Sequence, residues 1–177
     1  MEIYLVRHTS VDVPPGHNYG QTDVPLKNTF EEEAEIVKEQ LKELSFDRIW
    51  TSPLTRCSRL AAYCGFPEAE REDRIKELNF GDWEMVSFES LSEDPRSKPW
   101  FEDWINTCAP NGESLMDQYK RVSEFLDEIR KSGLNRVCLF AHGGVLTCAR
   151  IYAGEYEMKE AFLKMPPYGA VVRLEFD

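Results

Sequence analysis

The chain predicts a three-layer α/β/α sandwich built on a mostly parallel sheet, and three observations predict it. Two short apolar runs, Glu2-Ile3-Tyr4-Leu5-Val6-Arg7 and Arg136-Val137-Cys138-Leu139-Phe140-Ala141, lie near opposite ends and each stops at a histidine, His8 and His142. Runs this short, rich in β-branched and aromatic residues and closed by a polar or glycine break, read as buried parallel strands. Between them, segments with a helical apolar period alternate with short strand-like runs, as in βαβ units. With 177 residues, 42% of them apolar, the chain fits one domain spanning 1–177.

The elements follow in order. After the first strand comes a Pro/Gly loop from Thr9 to Asn28. Thr29 then starts a helix, with Glu32 as its capping-box partner and Ile36, Val37, Leu41 and Leu44 on the apolar period. Asp47 to Thr51 reads as a second strand. Ser52 is placed to cap and Pro53 to open a helix running to about Cys64. Glu68 to Ile75 is too charged for a central strand and holds at most a short one. A long helix is expected from about Ser114 to Lys131, with Tyr119, Val122, Phe125, Leu126 and Ile129 on one face and Gly133 closing it. The Val137 strand, a helix from about Val145 to Ala153 and a last strand from Gly169 to Phe176 complete the domain. Val86 to Pro110 breaks this pattern, with Phe88, Trp100, Phe101 and Trp104 set among prolines and charges. Two readings stand for it: a lid inserted over the crevice, or two small helices on the sheet edge.

Composition narrows the function. No apolar stretch approaches the ~20 residues of a membrane span, and Met1 leads straight into a strand with no signal-peptide pattern. Five cysteines, odd in number and without C-x-x-C spacing, read as reduced core residues. A cytoplasmic protein without a membrane partner is the expectation, with a homodimer among the states left open. The net charge of −11 argues against nucleic acid, whose phosphates need a basic face. An acidic shell around a small cluster of Arg and His suits a small anionic ligand.

A histidine at the carboxyl end of a strand points into the crevice where open α/β sheets bind ligands. If the two strands are neighbours, His8 and His142 share one site with Arg7, an arrangement suited to phosphoryl chemistry. Hydrolysis of a phosphate monoester needs a nucleophile at phosphorus, cations on the equatorial oxygens and an acid for the leaving oxygen. With only three histidines and none paired at metal-ligand spacing, no metal site is expected. Charge stabilisation then falls to Arg7, Arg56 and His142.

Five segments resemble the histidine phosphatase superfamily, whose fold is that of cofactor-dependent phosphoglycerate mutase. They are Arg7-His8-Thr9, Ser52-Pro53-Leu54-Thr55-Arg56, Glu77-Leu78-Asn79-Phe80-Gly81-Asp82-Trp83-Glu84-Met85, Gly112-Glu113-Ser114 and His142-Gly143-Gly144-Val145, in family order. The resemblance implies a metal-independent phosphomonoesterase with no cofactor, acting on a small phosphorylated substrate through a phosphohistidine. It makes His8 the nucleophile, Arg7 and Arg56 the phosphate clamp, His142 a second cationic donor, and Glu77 the general acid and then base, its pKa raised by apolar enclosure. Gly143 lets the backbone approach the anion at a helix N-terminus, and Asn18 is a further phosphate contact. Asp82 and Glu84 read as a solvated turn and a structural partner, Arg59 as structural, and His17 as a solvated loop residue. Two residues depart from the pattern: Thr9 and Met85 stand where the family has glycine. The Thr9 hydroxyl is itself a candidate phosphate contact. Thr9 and the Tyr19–Leu26 loop are most similar to the branch acting on alpha-ribazole 5'-phosphate, in the cobalamin pathway. Alternatives are a sugar-phosphate or phosphoglycerate phosphatase or mutase of the same superfamily, and a catalytically silent module that binds a phospho-ligand.

Overall fold

The computed structural model describes residues 1–177. Its elements run β1 (Glu2–Arg7), α1 (Phe30–Leu41), β2 (Arg48–Thr51), α2 (Thr55–Tyr63), β3 (Glu70–Arg71), α3 (Phe88–Glu93), α4 (Ser97–Glu102), α5 (Leu115–Lys131), β4 (Arg136–Ala141), α6 (Gly143–Tyr152) and β5 (Val171–Glu175). The sheet order is β3-β2-β4-β1-β5. All neighbours are parallel except β5, which runs antiparallel to β1 along one edge.

Alternation along the central strands divides the core between two faces. Ile3, Leu5, Val137, Leu139 and Ala141 point to one side and pack against α5 and α6. Tyr4, Val6, Cys138 and Phe140 point to the other and pack against α1 and α2. Each central strand is therefore apolar on both faces, and its residues form the near-continuous run visible in the sequence. The charged Glu70-Arg71 pair forms the short edge strand β3, where exposed side chains cost nothing.

Local details differ from expectation at three places. Thr29 does bond a glutamate, but Glu33 rather than Glu32: its Oγ1 donates to Glu33 Oε1 at 2.7 Å, while Oε2 accepts the Ser10 amide. Glu32 is exposed, and Glu33 ties the helix to the chain leaving β1. Ile36, on the predicted apolar stripe, is 65% exposed, because the buried face is carried by Phe30, Ala34, Val37 and Leu41. α2 begins at Thr55, later than Ser52-Pro53 predicts. Asp23 from the first loop caps it, accepting the Thr55 amide at 2.9 Å and the Thr55 hydroxyl at 2.5 Å. α5 has the expected start, a reciprocal capping box between Ser114 and Asp117.

The Val86–Pro110 segment contains two short helices, α3 and α4. Trp100 is buried in a small separate core with Trp83, Leu91 and Ala109. Trp104 stands beside Phe162, ring centroids 4.4 Å apart. Four cysteines are buried and Cys108 is exposed; all are free. No helix is long and apolar enough to cross a membrane.

Candidate active site

β1 and β4 pair in register, Arg7 opposite Ala141, so the next residue of each strand is a histidine. Pairing alone places the His8 and His142 rings 5.2 Å apart, centroid to centroid. Both side chains are buried, yet their hydrogen bonds differ. His8 Nδ1 lies 2.7 Å from the Thr9 carbonyl, which can only accept, so Nδ1 carries the proton and Nε2 keeps its lone pair. Burial, and the charges of Arg56 and Arg7, hold this imidazole well below its ordinary pKa, against the opposing effect of the Thr9 bond. A buried, neutral imidazole with one free lone pair is a competent nucleophile.

His142 is the N-cap residue of α6. Its Nδ1 accepts from Arg56 Nε at 3.2 Å, so Nε2 holds the proton and donates it to Ser52 Oγ at 2.8 Å. Burial, then Arg56 and His8, depress its pKa well below the usual range. His142 is thus a neutral donor in this site, in contrast to the cationic one expected: a second positive charge beside a buried guanidinium is disfavoured.

Arg56 differs from a free phosphate fork in a similar way. It is fully buried, and besides its bond to His142 it donates to the Thr22 carbonyl at 2.9 Å and to the Gly20 carbonyl. Of its five N–H groups, one remains on each terminal nitrogen. The loop it grips is held from the other side by Glu84, which accepts the amides of Gly20, Gln21 and Thr22, the Thr22 hydroxyl and the Phe80 amide. Burial works to raise the pKa of Glu84, but these donors leave it below the ordinary carboxylate value. Glu84 is the structural partner expected of it.

Glu77 is fixed from three sides. Its Oε1 accepts from Gln118 Nε2 and the Leu78 amide, each at 2.9 Å, and Oε2 accepts the Gly144 amide at 3.1 Å. Arg121, one turn beyond Gln118 on α5, donates to the carbonyls of Lys76 at 2.7 Å and Glu77 at 3.0 Å. The two glycines opening α6 make room for these charged groups. A Cβ on Gly144 would sit 2.3 Å from Glu77 Oε1, and one on Gly143 would sit 3.0 Å from the Arg7 guanidinium carbon.

Arg7 leans over the Tyr168 ring, 4.1 Å from its centroid, and donates one N–H to the Pro166 carbonyl. Its Nε is buried without a partner, as are Thr9 Oγ1 and Asn18 Nδ2. Arg7, Asn18 and Glu77 open onto a cavity of about 240 Å³, largely walled by apolar and aromatic side chains.

Residues 3–177 match the histidine phosphatase superfamily (branch 1). The chain belongs to that superfamily. It is 32% identical over 142 residues to phosphoserine phosphatase 1 of Hydrogenobacter thermophilus, covering 77% of this chain and 67% of that one. It is 30% identical over 154 residues to the adenosylcobalamin/alpha-ribazole phosphatase of Salmonella typhimurium, covering 83% and 76%. The alpha-ribazole phosphatase from Shigella flexneri superposes with a TM-score of 0.90 over 100% of this chain and 91% of that one; at 22% identity it shows a shared fold. The enzyme is a phosphatase of α/β architecture, like these structural neighbours.

The enzyme's two departures from family pattern have different costs. Thr9 keeps a negative φ, so its backbone is unstrained. Met85 has φ 61°, the left-handed region that a glycine would occupy freely. Sequence reasoning missed Ser52, Gln118 and Tyr168 as site residues. Gln118 had a signal: it is the one polar residue in the buried stripe of α5. Ser52 was assigned to a cap, and Tyr168 lies in an irregular segment with no motif. Of the four aromatics in Val86–Pro110, Phe88 alone lines the cavity, which takes its other aromatic walls from Tyr19, Phe80, Phe162 and Tyr168.

Proposed function

We propose that the enzyme hydrolyses a phosphate monoester through a phosphohistidine on His8, without metal or other cofactor, and that its substrate is alpha-ribazole 5'-phosphate. The observation that carries the mechanism is the set of buried, unpartnered polar atoms on Arg7, Thr9 and Asn18, two of them on the residues that flank His8. Buried donors without partners are rare in folded proteins, and a phosphate group would satisfy all three.

In this reading His8 Nε2 attacks phosphorus as the bond to the leaving oxygen breaks. Glu77 gives that oxygen a proton, and the alcohol departs. Glu77 then takes a proton from water, whose oxygen bonds to phosphorus while the P–N bond breaks. The electron pair returns to Nε2 and orthophosphate leaves. Arg7, the two remaining N–H groups of Arg56, Asn18 and the Thr9 hydroxyl bind the phosphate oxygens, close to the N-terminus of α6 at Gly143. His142 accepts from Arg56 and holds it in place, its own proton donated to Ser52.

The substrate reading is supported by the similarity to the Salmonella typhimurium protein and by the cavity, whose aromatic walls suit the flat benzimidazole of alpha-ribazole. Turnover of alpha-ribazole 5'-phosphate, O-phosphoserine and 3-phosphoglycerate in excess chelator tests it. The ribazole ester is expected to show the highest kcat/KM. A clear preference for either acid would overturn the substrate, and activity restored only by a divalent ion would overturn the mechanism.

A further inference from the structure

The cavity stops short of the nucleophile. Its walls include Arg7, Asn18, Tyr19, Glu77 and Tyr168, but neither His8 nor Arg56. His8 is 1% exposed and Arg56 0%, so in this conformation neither an ester nor water reaches the His8 lone pair. Two tyrosine rings cover it. The ring of Tyr168 lines the cavity and lies against His8, centroids 5.5 Å apart, and carries the Arg7 guanidinium 4.1 Å from its own centroid. The ring of Tyr19 also lines the cavity and faces Arg56, whose guanidinium carbon is 5.4 Å from its centroid. The two hydroxyls meet, oxygen to oxygen, at 2.5 Å.

The main chain beside each ring is tied down. Next to Tyr19, the Asn18 amide donates to the Val86 carbonyl at 2.9 Å, the Asn18 carbonyl accepts the Met85 amide at 2.7 Å, and the Gly20 amide donates to Glu84. Next to Tyr168, the Gly169 amide donates to the His8 carbonyl at 3.1 Å, and the Ala170 carbonyl accepts the Arg7 amide at 2.9 Å. Moving either segment would break several of these bonds at once. Turning the Tyr168 side chain breaks only the hydroxyl bond and the ring contacts. Tyr168 is 40% exposed and has solvent to turn into, whereas Tyr19 is half-buried. One hydrogen bond between exposed hydroxyls is a weak latch, which thermal motion opens.

We propose that Tyr19 and Tyr168 are a gate between the cavity and His8, latched by their shared hydrogen bond and opened by rotation of Tyr168. This rests on the reading of His8 as nucleophile and adds the residues that control access to it. Because Tyr168 covers both His8 and Arg7, one rotation uncovers the attacking nitrogen together with a guanidinium that receives the phosphate. Its return shuts bulk water out of the buried site, where the arginine charges are least screened.

The test reads access to His8 directly, as the rate at which diethyl pyrocarbonate acylates each histidine, followed by peptide mass spectrometry. His17 lines the cavity outside the gate, and His142 is fully buried with both nitrogens bonded, so the two serve as internal references. In the wild-type enzyme His8 is expected to react more slowly than His17. Tyr19→Phe and Tyr168→Phe, which keep the rings and remove the latch, should each speed His8 by about 3- to 10-fold, the worth of one hydrogen bond. The double variant should be no faster than either single one, because both remove the same bond. Tyr168→Ala, which takes away the covering ring, should raise the rate further, with His142 still unreactive. The gate is overturned if His8 reacts as fast as His17 in the wild type, or if the phenylalanine variants leave its rate unchanged. It is equally overturned if their effects multiply in the double variant, or if His142 becomes reactive alongside His8, the mark of a loosened fold. Acylation needs no turnover, so absence of a phosphoenzyme beside these rates would count against His8 as nucleophile and leave the gate standing.

Discussion

His8 and His142 occupy equivalent places, the first residue beyond two paired parallel strands, and they end in opposite tautomers. His8 has one nitrogen anchored to the carbonyl of the next residue and the other unencumbered. His142 has both nitrogens in use, one toward Arg56 and one toward Ser52. Burial and the neighbouring guanidinium groups depress both imidazoles. Position, burial and neutrality are shared. In the proposed mechanism, the second partner of each ring separates the nucleophile from its neighbour, since an imidazole whose lone pair already accepts a bond cannot attack phosphorus.

The largest effect expected from breaking this asymmetry is at His8. His8→Ala should lower turnover by roughly 10⁴-fold or more, as loss of a covalent nucleophile does. Rapid quench in alkali with labelled substrate should place acid-labile, base-stable phosphate on His8 of the wild-type enzyme and none on the variant. A next, smaller effect is expected at His142. His142→Asn should reduce kcat by about 10²-fold, the cost of misplacing the Arg56 that it holds, while the phosphoenzyme still forms. If His142→Asn abolished the phosphoenzyme and His8→Ala preserved it, the two roles would be reversed.

The smallest effect sharpens what the histidines share. Both have folded-state pKa values depressed below the unfolded value near 6.5, so below that pH the unfolded chain binds protons that the folded chain does not. Their contribution to stability is complete above about pH 6.5 and is lost as pH falls toward the folded values, by up to about 1.4 kcal/mol per pH unit for each ring. Thermal denaturation between pH 7 and 5 should show falling stability, with a shallower slope in His142→Asn. Equal slopes in wild type and variant would mean that His142 is already protonated when folded.

Much of the architecture was legible in local pattern. The two apolar runs, the charged edge segment at Glu70-Arg71 and the α5 stripe each have a composition that decides strand or helix within a few residues. The misplacements share a cause. Ser52, Glu32 and Ile36 each had a plausible local role, and each was drawn elsewhere or left exposed once distant surfaces packed. Ser52 is placed to cap α2, yet its hydroxyl faces His142, ninety residues on, and Asp23 caps the helix instead. The aromatics of Val86–Pro110 were visible as residues, but their direction was not: Trp100 turns into its own core and Phe162, in an unremarked stretch, forms the cavity wall.

The sequence by itself determined the α/β class, the strands that end in His8 and His142, and the motif residues from which the family follows. Strand and helix are written in side-chain period and in caps, which act over a few residues and need no knowledge of the rest of the chain. Tertiary structure alone decided the tautomers of the two histidines, the internal bonds that hold Arg56, and the largely apolar cavity onto which Glu77 opens. Those depend on partners tens of residues apart in sequence, and a hydrogen bond or a cavity wall exists only once the sheet has brought them together.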